Sequence, residues 1–369
     1  MEKNRLRYLI ALSIIPGIGI TTAKKLIAYA GTIENVFLQT NTLQETVPRL
    51  SKTVIASLKD EKYQALAEKE IEFMEKHNIN ALCYLDKDYP ERMKHCEDAP
   101  ILLYKKGVHS LESEKIISIV GTRNASSYGK EQCKKLIEGL QKHNPVIISG
   151  LAYGVDYCAH KYALDCNLNT IAVVGHSLDK VYPADHKLLA KAIEAKGCLV
   201  SEFHSTSPLD KFNFVTRNRI IAGMADATIV IESAKKGGAL LTAEYANNYN
   251  RDVFALPGKV TDNYSLGCNN LIKQNKAHLF ESVSDIEYIL NWEHGVKTKP
   301  SIQRSLFVEL TPEEEFLISF LKQESKLSMD ALSVRSKLPI SKVSAMLLNM
   351  EFAGMVKLHP GKVYEYCGF

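Results

Sequence analysis

Between residues 115 and 290 the chain carries seven short apolar runs: Ile116–Val120, Val146–Ser149, Thr170–Val174, Leu199–Glu202, Thr228–Glu232, Val253–Leu256 and His278–Phe280. They are rich in β-branched residues and scarcely alternate with polar ones, which is the pattern of strands covered on both faces. Stretches of helical period separate them, near 128–143, 154–166, 184–196, 216–224, 239–249 and 266–275. This alternation predicts a Rossmann-like α/β domain with a doubly wound, mostly parallel sheet. Ligands of such sheets sit at the carboxyl ends of the strands.

The flanks follow other patterns. Residues 1–76 read as helices alone, an all-α unit of helix-hairpin-helix or SAM-like type. Residues 77–110 read as an extension of the sheet domain, with a strand near Ala81–Leu85, so that domain is placed at 77–290. Residues 291–308 hold Gly, Lys, Pro and Ser with little periodicity and read as a linker. In 309–369, Thr311 is placed to cap a helix with Pro312 at its first position. A second helix after Ser328, a third near Pro339 and a Pro-Gly hairpin over 355–366 complete a winged-helix pattern.

Composition narrows the function classes. The chain has 369 residues, 46% hydrophobic and 24% charged, with a net charge of +4, which excludes a histone-like polycation but not a local basic site. No apolar run approaches membrane-spanning length and the N-terminus lacks a signal peptide pattern, so a cytoplasmic protein without a membrane partner is expected. The eight cysteines include no Cys-x-x-Cys pair and have mostly apolar neighbours, which reads as reduced core thiols and no metal site. Neither a dinucleotide fingerprint nor a P-loop follows a strand, so no cofactor is expected.

The candidate chemistry is anionic recognition. Lys211, Phe212 and Phe214 precede Arg217, Asn218 and Arg219, which stand before an apolar helical run. A solvated helix start favours acids because its dipole is positive there, so cations at that end suit a bound polyanion. The aromatics offer faces for base stacking. Three further turns at strand ends suit phosphate: Gly121, Thr122 and Arg123; Ser149 and Gly150; and Lys235, Lys236, Gly237 and Gly238. A loop from Gly175 to Pro183 lies at another strand end and shapes the same cleft. So many anion-friendly turns exceed what one small anion needs and fit a chain of phosphates, single-stranded nucleic acid bound without strong sequence preference. Arg219, in an apolar helix start, has the alternative of holding a buried carboxylate; Lys211 and Arg217 are read as the phosphate contacts and Phe214 as the base contact.

Other constellations are weaker. Gly17 and Gly19 with Lys24 and Lys25 form a helix-hairpin-helix-like turn, either a secondary DNA contact or a turn that only packs. Asp156 and His160 read as an N-terminal carboxylate with a packed histidine rather than an acid–base pair. His176, Ser177 and Asp179 have the ingredients of a hydrolase triad but no nucleophile elbow. The winged-helix segment carries seven Lys/Arg against eight Asp/Glu over 305–369, and Lys342 is the one cation of its third helix, so a protein contact is as natural as DNA.

Taken together the motifs resemble the DNA-processing protein A (DprA, also called Smf) family. The resemblance runs through Asp88-Tyr89-Pro90, Ile119 to Arg123, Ser149 to Asp156 with His160, Gly175 to Pro183, Ser201-Glu202-Phe203, Phe214 to Gly223, Gly237 to Ala243, Pro257-Gly258 and Gly267 to Ile272. It implies a recombination mediator that binds and shields incoming single-stranded DNA in natural transformation and loads the RecA recombinase. It also implies a homodimer through the Rossmann-like domain, no enzymatic activity, and phosphate contacts at Arg123, Ser149, Gly150, Lys211, Arg217 and Asn218 with Phe214 free to stack. The chain departs from the family pattern at Val155, His176, the Gly237-Gly238 pair and Lys276. Two other classes stay open. One is a Rossmann-like nucleotide hydrolase of phosphoribohydrolase type, echoed by Gly237, Gly238 and Glu244. The other is a duplex-binding regulator acting through the terminal domains.

Overall fold

The computed structural model describes residues 3–292 and 310–367; all of the segment read as a linker except its first two residues lies outside them. Nine strands form one sheet: β1 Asn80–Cys83, β2 Leu102–Gly107, β3 Ile116–Val120, β4 Val146–Ser149, β5 Thr170–Val173, β6 Cys198–Ser201, β7 Ala227–Val230, β8 Asp252–Ala255 and β9 His278–Leu279. Their order is β1-β2-β6-β5-β4-β3-β7-β8-β9. From β6 to β9 every pair is parallel, and β2 and β1 extend the sheet antiparallel beyond β6.

Strand β3 shows why these runs are so largely apolar. Ile117 and Ile119 face the core shared with helices Ser127–Leu140 and Val155–Asp165, whereas Ile116 and Val120 face the core shared with helices Asn218–Met224 and Gly238–Asn248. Both faces are covered, so neither can be polar without a partner. Ser118 satisfies that condition: its hydroxyl donates to Thr228 Oγ1 of β7 at 2.7 Å. The chain winds from β3 through β4 and β5 to β6 on one side, then returns to place β7 on the other side of β3. The crevice of a doubly wound sheet opens at that switch point. Here the Thr122 amide donates to the Glu232 carbonyl at 2.7 Å and keeps the chain joined just past the two strand ends.

Six helices precede the sheet, from Lys3–Ile14 to Lys62–His77. Their apolar faces share a core with Leu102 and Tyr104 of β2 and with helix Lys187–Lys196, so the unit closes over the antiparallel end of the sheet. The C-terminal unit has helices Pro312–Gln323, Met329–Ser336 and Ile340–Phe352. With them goes a small sheet of β10 Lys326–Ser328, β12 Val363–Tyr366 and β11 Val356–His359, in that order. Thr311 and Glu314 cap the first helix reciprocally. This is a winged helix, with one short strand, β10, beyond the expected hairpin. Its hairpin turn meets the sheet domain: Arg251 Nη1 donates to the Pro360 carbonyl at 2.5 Å and the Gly361 amide to the Asn250 carbonyl at 3.1 Å.

One helix boundary differs from expectation. The segment expected to become helical near 216 is already helical from Lys211, as two short helices, Lys211–Thr216 and Asn218–Met224, with Arg217 between them. An acid does stand at the start: the Asp210 side chain accepts from the Phe212 amide at 2.9 Å. The cations therefore occupy the first turn of one helix and the junction of two. Among the described residues, no helix is long and apolar enough to cross a membrane.

Candidate nucleic-acid interface

A cleft of about 520 Å³ opens over the carboxyl ends of β3 and β7. Arg123, Lys211, Phe214, Arg217, Asn218, Lys236, Gly237 and Gly238 line it. The fold thus brings together residues that lie more than a hundred positions apart. Three cations of this group, Arg123, Lys211 and Lys236, are exposed and have no ion pair among the described residues. Helix Gly238–Asn248 begins in the cleft with Gly237 as a cap that offers no side-chain hydrogen bond. Its first amides and its dipole are therefore available to an anion. Asn218 is buried and its amide donates to the Gly238 carbonyl at 3.4 Å, which ties this turn to the Arg217 junction.

The floor is built differently from the sequence expectation. Arg217 is only 4% exposed. Its Nη1 donates to the Val173 carbonyl at 2.5 Å and its Nη2 lies 4.0 Å from Asp156 Oδ2. Burial pushes the guanidinium down to about 10, against the pull of Asp156. Burial likewise pushes the Asp156 carboxyl up, and Arg217 pulls it back. Asp156 is the one carboxylate that lines the cleft, and it is neutralised from below. Arg217 is a buried support, not an exposed fork for phosphate.

Ser149 and Gly150 also lie beneath the cleft and not in its wall. The Ser149 hydroxyl donates to the Ile119 carbonyl at 2.6 Å. The turn whose sequence suits a phosphate cradle holds the chain's own anion, since the Ala152 amide donates to Asp156 Oδ2 at 3.4 Å. Gly150 has a packing reason: a Cβ there would sit 1.9 Å from Arg217 Nη1. Lys235 is exposed next to the cleft without lining it.

The aromatic wall includes a residue that sequence reasoning passed over. Phe214 packs against Tyr182, with ring centroids 5.3 Å apart, and both line the cleft. Tyr182 is half-exposed and is presented by the loop after β5, a position legible only as a loop end. Phe212 is 77% exposed but lies outside the cleft lining.

Remaining constellations resolve as packing. His160 is buried, shares a 2.7 Å hydrogen bond with Thr170, and is held down to about 3 by burial and by Arg217. It stays neutral and makes no pair with Asp156. The His176 ring bonds the Ser177 carbonyl at 2.9 Å and accepts from the Tyr182 amide at 3.2 Å, so it is not available to Ser177 as a base. Arg219 pairs with Glu202 in the interior, as its apolar setting suggested. Lys24 donates to the Glu97 carbonyl at 2.9 Å and Lys25 to the Pro48 carbonyl at 3.0 Å. With those lysines bonded to carbonyls of the chain itself, the turn at Gly17 and Gly19 joins helices of the N-terminal unit. Lys342 pairs with Glu313 at 2.5 Å, so the third helix of the winged unit has no free cation. Glu244, the residue a phosphoribohydrolase reading requires, is exposed and outside the cleft lining.

A model of the DNA recombination-mediator protein A family matches residues 80–291, and one of the DprA winged helix domain matches 307–362. The chain belongs to the DNA recombination-mediator protein A (DprA/Smf) family. Protein Smf of Synechocystis is 31% identical over 99% of this chain and all of that protein. DNA processing protein DprA of Streptococcus pneumoniae is 41% identical over 55% of this chain and 71% of that protein. The crystal structure of the S. pneumoniae DprA superposes with a TM-score of 0.67 at 33% identity, covering 78% of this chain and 98% of that one. A Helicobacter pylori DprA, described for its single-stranded DNA binding mode, superposes with a TM-score of 0.53 at 28% identity over 58% of this chain and 97% of that one. This DprA-family chain is accordingly a DNA-processing recombination mediator, and the cleft at its switch point is where the family fold and the basic, aromatic lining coincide.

Proposed function

We propose that this protein binds single-stranded DNA in the switch-point cleft and delivers it to a RecA recombinase during natural transformation. One observation carries the reading: Arg123, Lys211 and Lys236 converge without carboxylate partners on a cleft that also presents Phe214 and Tyr182. Cations track the phosphates, the amides at Gly237–Ala239 donate to one of them, and rings stack on any base, so affinity does not depend on sequence. Arg217, Asn218, Ser149 and Gly150 hold this surface from below. The protein acts in the cytoplasm, as a homodimer through the sheet domain, and binds rather than transforms its DNA, with no metal or cofactor.

The test is titration of a labelled oligothymidylate across a salt series. Arg123→Ala or Lys211→Ala should weaken binding and lower the log–log salt slope by roughly 0.7 per lost phosphate contact. Both variants binding as the unaltered protein does would refute the assigned site. RecA-dependent strand pairing on the same DNA tests the delivery step.

A further inference from the structure

A second cleft, of about 850 Å³, lies next to the first, and Arg123 lines both. We propose that it is a second nucleotide subsite, which receives the continuation of the same single strand beyond Arg123. This inference rests on the reading of the first cleft as a DNA site.

The ridge between the clefts is made of two loops in close contact. Gly154 has φ +76°, and a Cβ there would sit 2.2 Å from the Thr122 carbonyl oxygen, so only glycine lets the loops run flush. Arg123 is exposed on this ridge, where a strand crossing from one cleft to the other must pass it.

The far cleft has what a polynucleotide needs. Lys130 comes from helix Ser127–Leu140 and Lys161 from helix Val155–Asp165; both are exposed and both line it. Neither has an ion pair among the described residues. The contrast along one helix is informative. Lys135 pairs with Glu131 at 2.7 Å and Lys134 with Glu138 at 3.6 Å, away from the cleft, whereas Lys130 in the cleft is left unpaired.

Its aromatic side is held in place. Tyr153 and Tyr157 both pack against His186, with ring centroids 5.0 and 4.9 Å from it. His186 is itself buried and bonded to the Leu151 carbonyl at 2.9 Å. Tyr153 is 43% exposed, so a fixed ring face remains for a base. The single carboxylate lining this cleft, Asp185, accepts from the Tyr153 hydroxyl at 2.7 Å and so orients the ring. Three cations against one carboxylate, with an anchored ring, repeat the chemistry of the first cleft.

The experiment compares an oligothymidylate of about six nucleotides with one of about sixteen, a span within the range of single-strand sites. Lys130→Ala/Lys161→Ala and Tyr153→Ala are measured beside the unaltered protein, with thermal unfolding as the control for folding. The short oligonucleotide should bind all three alike. The long one should bind the unaltered protein more tightly and with a steeper salt slope. The double lysine variant should lose roughly 1.4 from that slope, and Tyr153→Ala should weaken the long oligonucleotide about tenfold. A double variant that keeps the unaltered affinity and slope for the long strand overturns the second subsite and leaves the first intact. Equal losses for both lengths also overturn it, because the lysines would then act as a general field. Failure of the unaltered protein to bind either strand would instead remove the DNA reading on which the inference rests.

Discussion

Replacing Arg217 by Met keeps the apolar stem and removes the guanidinium, which leaves Asp156 buried without its counter-charge. Two contributions set the cost. Loss of the hydrogen bond to the Val173 carbonyl is worth about 1 kcal/mol. The stranded carboxylate can escape its penalty by taking up a proton, and that sets a ceiling. From an ordinary aspartate value near 3.9, protonation at pH 7 costs about 4 kcal/mol. The total, about 4–5 kcal/mol, agrees with the loss seen when one partner of a buried pair is removed, roughly 3–5 kcal/mol. The protonation part has a signature. The folded-state carboxyl, already raised, rises further without Arg217, so the variant loses stability as pH climbs through the unfolded value and regains it on acidification. At pH 5 the same arithmetic leaves about 1.5 kcal/mol. Urea unfolding at the two pH values reads this directly, and Arg217→Met/Asp156→Asn should recover most of the loss at pH 7. A destabilisation under about 1 kcal/mol, or one independent of pH, would refute the buried-pair reasoning. The folded double variant should still bind oligothymidylate within about threefold, roughly 0.6 kcal/mol, since Arg217 supports the cleft from below.

Other outcomes follow from the same geometry. Gly150→Ala drives a methyl into the Arg217 guanidinium and should cost about 3 kcal/mol or more by thermal or urea unfolding, whereas Gly238→Ala meets only Asn218 Nδ2 at 3.8 Å and should stay within about 1 kcal/mol. His160, held down to about 3, takes up its proton only on unfolding between that value and its ordinary 6.5, so stability is present above that window and lost on acidification. His160→Asn should flatten the fall in stability from pH 6 to pH 4 by up to about 1.4 kcal/mol per pH unit, and an unchanged slope would count against a neutral buried ring. Arg251→Met removes the hydrogen bond to the Pro360 carbonyl, so the Gly361 amide, bonded to Asn250, should exchange roughly tenfold faster; unaltered exchange would mean that the arginine does not hold the wing turn.

Local pattern was enough to mark out the strands of the parallel sheet, because a strand covered on both faces is apolar except where a neighbour partners a polar side chain, as Thr228 partners Ser118 within Ile116 to Val120. It determined the winged helix through the cap at Thr311 and the hairpin turn, which are local chemistry. It placed Arg123 and the Gly237-Gly238 turn at strand ends on one edge, with Lys211 and Phe214 at a helix start nearby, since the order of strands and helices is enough to say which edge that is. Tertiary structure alone decided which cations face solvent. Arg217 and Arg219 each find a carboxylate on another element, Asp156 or Glu202, and both go inside, although the apolar helix start offers that alternative for Arg219 alone. Ser149 and Gly150 look like a phosphate nest until the fold fills that nest with Asp156. Lys24 and Lys25 look free until carbonyls of other segments receive them. The reason is common to all three. A residue's type and spacing fix what it can bond to, but whether its partner is solvent, ligand or protein depends on which distant group the packed fold sets against it.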